Sequence, residues 1–160
     1  MIFFVDGDTF SGKTTYLREF IKNHPQKTSR YMTDEEWTEL LAHCANETDS
    51  DEHCAELLAS QFSGFDIVCI DNMDLLKGRP LTQVVSAKAI LELNQNRDIL
   101  IAGIDLRSAI KTMIDAFSNN GITVSFIHFE RSTGSCEKAM SRRSAGRVGE
   151  LHKCGEGESV

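Results

Sequence analysis

The sequence predicts an α/β sandwich of three layers: a five-stranded, mostly parallel sheet with helices on both faces. Three observations predict it. Short apolar runs recur along the chain, and those at 65–70 and 99–104 are too continuously apolar to leave one face in water, as in parallel sheets covered on both sides. Segments with helical hydrophobic spacing lie between the runs, so strands alternate with helices and right-handed crossovers follow. A glycine-rich turn joins the first run to the first helical segment.

Residues 2–5 are apolar, β-branched or aromatic, and Asp6-Gly7 ends them as a buried strand. Residues 13–22 read as a helix with Leu17, Phe20 and Ile21 on one face, closed by Pro25. Residues 29–32 read as a short second strand. Thr33-Asp34-Glu35-Glu36 has the form of a capping box, and Trp37, Leu40, Leu41 and Cys44 follow at helical spacing. A polar loop over 46–51 leads to a helix with Cys54, Leu57, Leu58 and Phe62 inward, ended by Ser63-Gly64. Strands are expected at 65–70, 99–104 and 122–129, and helices at 82–93 and 108–117. Beyond Glu130 the chain has serine, glycine and charge but no core face, so 1–130 reads as one domain and 131–160 as a basic, mobile tail.

The net charge of −7 argues against wholesale coating of nucleic acid, which needs a basic face. The tail differs: six basic residues against four acids make it +2 and leave −9 for the rest. A small basic tail is ordinarily solvated, and a DNA contact there stays open as an alternative. No apolar run is long enough to span a bilayer, and the N-terminus lacks a secretory pattern, so a cytoplasmic protein is expected. Five cysteines without a CxxC pair suit reduced thiols. His43-Cys44 and His53-Cys54 repeat a pair that suggests zinc, but each cysteine takes an apolar helical slot and reads as core.

The turn after the first strand, Gly7-Asp8-Thr9-Phe10-Ser11-Gly12-Lys13-Thr14, fits the Walker A pattern G-x-x-x-x-G-K-S/T at every fixed position and sits between strand and helix as the mechanism requires. Glycines let successive backbone N–H groups converge on phosphate oxygens, and the helix start adds a favourable dipole. The fold class therefore narrows to a P-loop NTPase sandwich. Gly7 to Thr15 are the expected nucleotide-binding residues, with Lys13 on the β- and γ-phosphates and the Thr14 hydroxyl on magnesium. Asp71, at the end of the third strand, takes the Walker B position and shares the magnesium with Thr14. The next residue is Asn72, an amide that orients water but cannot take its proton, so fast hydrolysis is not expected. Asp105 ends the fourth strand in the same way, and reads either as a catalytic sensor beside the γ-phosphate or as a helix cap. Arg107 reads as a surface residue within reach of a phosphate.

The order of these pieces resembles the ATPase domain of the bacterial replication initiator DnaA and its helicase-loader relatives, an AAA+-like P-loop family. The matching segments are GDTFSGKT, YMTDEEWTELL, IVCIDNMDLLKGRPLTQ, ILIAGIDLRSAI and NNGITVSFIHFE, covering about residues 1–130. The resemblance implies ATP and Mg2+ as ligands, Asp71 as the magnesium acid, Asp105 as first sensor, and a replication protein or another ATPase as partner. The chain departs from the family at Asn72, and it carries no arginine finger around Ala116-Phe117-Ser118. The adenine-packing segment and the helical lid are expected to be absent, which describes a truncated core. FSGKTT and IAGID are also similar to thymidine kinases of the zinc-containing type, so a small nucleoside kinase-like phosphotransferase is the alternative. The leading expectation is an ATP-binding, nucleotide-dependent interaction module, a weak ATPase at most.

Overall fold

Successive residues of a strand face opposite sides of a sheet, and here the two sides feed two cores. The computed structural model describes residues 1–130 and the backbone of the pair 152–153. Its elements are β1 (Ile2–Gly7), α1 (Lys13–Lys22), β2 (Ser29–Thr33), α2 (Asp34–Glu47), α3 (Asp51–Ser60), β3 (Ile67–Asp71), α4 (Pro80–Leu93), β4 (Asp98–Gly103), α5 (Leu106–Ala109), α6 (Lys111–Asn119), β5 (Val124–Phe129) and β6 (His152–Lys153). The sheet order is β2-β3-β4-β1-β5-β6. The first five strands pair in parallel, and β6 pairs antiparallel to β5. That short antiparallel edge was not expected from the sequence. The rest of the tail lies outside the described residues.

Ile2, Phe4, Val68, Ile70, Ile99 and Ile101 enter the larger core, covered by α2, α3, α4 and α6. Val5, Ile67, Cys69, Leu100 and Ala102 enter the smaller one, where they pack with Leu17 of α1. The layers are therefore α1, sheet, and the remaining helices. Trp37 is fully buried in the larger core, stacked on Phe62 at 5.7 Å, and its Nε1 donates to Ser86 Oγ at 3.0 Å. Cys44 and Cys54 are buried on the inner faces of α2 and α3, while His43 points outward and pairs with Glu47 at 3.3 Å.

The capping box forms as the residues suggest. Thr33 Oγ1 accepts from Glu36 N at 3.3 Å, and Glu36 Oε2 accepts from Thr33 N at 2.8 Å. The single helix expected over 108–117 is instead α5 and α6, broken at Ile110 with φ −123° and ψ 36°. The groups freed by the break are met by Gln83 of α4, which is buried. Its Nε2 donates to Ala109 O at 3.1 Å and its Oε1 accepts from Met113 N at 3.3 Å. The amide side chain thus stands in for the helical bond between those two groups, which a break would otherwise leave unsatisfied. Among the described residues no helix is long and apolar enough to cross a membrane.

Candidate functional site

β1 delivers its last residue, Gly7, against the end of β5. A side chain there would place Cβ 2.4 Å from the Phe129 carbonyl oxygen and 2.9 Å from Ser11 Oγ, so only glycine fits. Gly12, at φ +101°, turns the chain into α1 and caps it with no side-chain hydrogen bond. Between them Phe10 holds the left-handed conformation at φ 61° with its ring 94% exposed, an unusual state for a bulky residue.

Lys13, the first residue of α1, is folded back into this loop. Its Nζ donates to the carbonyls of Gly7 (2.6 Å) and Asp8 (2.5 Å) and, more weakly, to Ser11 Oγ (3.4 Å). Burial lowers the Lys13 pKa from its ordinary value, and the charges of Asp6, Asp71, Asp8 and Asp74 offset part of that effect. The loop therefore surrounds a desolvated ammonium group, its position set by the loop's own backbone.

At the next residue, Thr14 Oγ1 donates to Asp71 Oδ2 at 2.6 Å. Asp71 is 1% exposed, at the end of β3. The same oxygen accepts from the Tyr31 hydroxyl at 2.5 Å, and Oδ1 accepts from Asn72 N at 3.0 Å. The Tyr31 pKa is pushed up to about 12, by burial first and by its bond to Asp71 second, which keeps the phenol protonated and donating. Arg18 lies over the Tyr31 ring, 5.4 Å from its centroid.

The loop after β3 is fixed from two sides. Asp34, buried at the start of α2, accepts from Asp74 N at 3.1 Å and Leu75 N at 3.0 Å, and Met73 N donates to Ala102 O at 2.9 Å. Asn72 is exposed and left-handed at φ 57°. Asparagine suits that conformation, which gives the residue a conformational reason beside the missing base.

Because β4 lies between β1 and β3, the loop that follows it emerges between the lysine loop and Asp71. Asp105 is exposed there in the left-handed conformation, φ 49° and ψ 48°. Asp105 takes the N-cap position of α5 through its backbone, and its side chain makes no capping bond. Arg107 stacks on Phe126, its guanidinium 4.1 Å from the ring centroid.

The structure thus brings Gly7, Ser11, Lys13, Thr14 and Asp71 into one cluster. It leaves Asp8, Thr9, Phe10, Gly12 and Thr15 exposed along the loop and first turn, and sets Asp105 on the neighbouring loop. Sequence reasoning missed Tyr31, Asp34 and Gln83. The only signals were a phenol two residues before the end of a strand, an acid at a helix start and an amide inside an apolar helix. A separate groove of about 450 Å³ lies elsewhere, between α2, α3 and the start of α4, lined by Leu41, Ala45, Cys54, Arg79 and Val85.

No family sequence model matches the chain, and no characterised protein matches it in sequence. Solved structures do match it. Replication initiator DnaA bound to AMPPCP and single-stranded DNA is similar at a TM-score of 0.59 and 15% identity, over 81% of this chain and 40% of that one. AMPPCP-bound DnaA from Aquifex aeolicus is similar at 0.58 and 14%, over 80% and 40%. Domain III of the Thermotoga maritima replication initiation protein DnaA is similar at 0.56 and 19%, over 72% and 50%. The chain spans about 40% of the length of the first two DnaA chains. Its α/β fold is the P-loop NTPase fold that these DnaA structures share.

Proposed function

We propose that the chain is an ATP-binding domain of DnaA-like fold that acts as a nucleotide-dependent interaction module in DNA replication, with slow or absent hydrolysis. The observation that carries this reading is the convergence, at the carboxyl end of the parallel strands, of the desolvated Lys13 ammonium with the Thr14–Asp71 pair at 2.6 Å. In it, the amides of the loop from Gly7 to Gly12 and the start of α1 receive phosphate oxygens, and Lys13 exchanges its loop carbonyls for the β- and γ-phosphates. Thr14 and Asp71 form an oxygen-only donor pair of the kind Mg2+ selects, and would hold the ion through the hydroxyl and carboxylate. When bound, that cation neutralises charge on the β- and γ-oxygens. Two solved neighbours carry AMPPCP, an ATP analogue, which favours adenine over guanine. The partner is a replication protein or another ATPase, and the cytoplasm is the compartment that suits reduced, buried Cys44, Cys54 and Cys69.

Tyr31 fixes Asp71 for this task. Tyr31→Phe removes one of two hydroxyls on Oδ2, and is expected to weaken magnesium-dependent ATP binding by about three- to tenfold while binding without magnesium holds. Paired titrations with and without magnesium check this, and an equal loss in both would make Tyr31 a purely structural residue.

Hydrolysis tests the module reading. Wild-type protein is expected to bind ATP with little ADP release and no stimulation by added nucleoside; nucleoside-dependent ADP formation would instead establish the kinase alternative. Asn72→Asp supplies the missing base in a residue that tolerates φ 57°, and is expected to raise turnover about tenfold or more. Unchanged turnover in that variant would mean the base does not limit the rate.

A further inference from the structure

Asp6 is the last residue before the lysine loop, in the middle of the sheet, paired in register with Gly103 on one side and His128 on the other. It is the first charged residue of β1, after the apolar run Ile2 to Val5. Its carboxylate is 15% exposed and both oxygens are used. Oδ1 accepts from the Leu106 backbone amide at 3.0 Å, and Oδ2 lies 3.5 Å from His128 Nδ1. It is also the carboxylate whose charge acts most strongly on Lys13.

The Leu106 amide belongs to the peptide that follows Asp105, so the bond fixes the peptide plane on the carboxyl side of Asp105. Asp105 lies in the left-handed region, at φ 49°, which aspartate permits without requiring, so bonds from its surroundings select it. The Asp105 carbonyl is tied as well, accepting from Ser108 N at 3.1 Å and Ala109 N at 2.8 Å. Of the two ends of that peptide, the amide is the one held from another strand. We infer that Asp6 is a positioning residue: through the Leu106 amide it sets the loop carrying Asp105 and couples it to the lysine loop, so that the site distinguishes a nucleoside triphosphate from a diphosphate.

This inference rests on the ATP-binding reading, and two readouts separate their failures. In nucleotide-free protein, Asp6→Ala is expected to speed hydrogen exchange at the Leu106 amide by about tenfold or more, whereas Asp6→Asn, which keeps an acceptor oxygen, stays within about threefold of wild type. In titrations with magnesium, Asp6→Ala is expected to reduce the preference for ATP over ADP by about tenfold, and Asp6→Asn to keep the preference. Unchanged exchange at Leu106 in the alanine variant overturns the inference whatever the nucleotide does. So does an equal loss of ATP and ADP affinity, or a wild-type protein that binds both alike. A wild-type protein that binds neither overturns the ATP reading and the sensing role with it. If the alanine variant does not fold, Asp6→Asn decides alone, because loss of the ATP preference in a folded variant that retains the acceptor contradicts the mechanism.

Discussion

Lys13→Ala is expected to weaken Mg-ATP binding by about 100-fold or more, below ordinary detection, while the protein stays folded. The size follows from the state of the side chain. Lys13 is 7% exposed, and burial pushes its pKa below the ordinary lysine value. A triphosphate therefore meets a charge already drawn into the loop by the Gly7 and Asp8 carbonyls, which it exchanges for phosphate oxygens. The fold should tolerate the change, because Lys13 opens α1 and alanine is a good helix former there. Calorimetric titration with circular dichroism on the same sample checks both halves. Unchanged affinity in a folded variant would take Gly7 to Thr14 out of the site.

Trp37→Ala is expected to destabilise the domain by about 3–5 kcal/mol, a large share of the stability of any domain this size. Trp37 fills the junction of α2, α3 and α4: its ring stacks on Phe62, and its Nε1–H satisfies the fully buried Ser86 hydroxyl. Truncation leaves a cavity and an unpartnered hydroxyl together. Trp37→Phe separates the two contributions, since it keeps an aromatic ring but not the donor, and should cost about 1–3 kcal/mol. Urea unfolding followed by circular dichroism measures both. A cost below about 1 kcal/mol for the alanine variant would mean that this junction relaxes around the gap rather than holding its packing.

What was legible in the sequence was local. The lysine loop is contiguous, so its glycines, lysine and threonine announce themselves at fixed spacing, and α1 occupies 13–22 as the periodicity requires. Thr33 and Glu36 lie three residues apart and cap α2 without help from elsewhere. What was not legible depends on register between distant segments. Tyr31 reaches Asp71 because β2 pairs with β3 so that Thr33 faces Asp71, two residues beyond the Tyr31–Cys69 pair. The groups freed by the break between α5 and α6 are met by Gln83 from another helix, and the hold on the loop after β3 depends on Asp34 from a third. The left-handed state of Asn72 and Asp105 has the same origin, since Met73 N bonds the end of β4 and Leu106 N bonds Asp6. Asparagine and aspartate permit such turns without requiring them.

The most direct measurement is calorimetric titration of the wild-type protein with ATP, ADP and GTP, each with and without magnesium. ATP binding that strengthens on adding magnesium, with GTP weaker, is the expected result, and it would bring Lys13, Thr14 and Asp71 into one working site. Absence of binding by all three nucleotides in folded protein would contradict it, leaving a phosphate cradle kept for its shape and a protein whose activity lies on its outer faces.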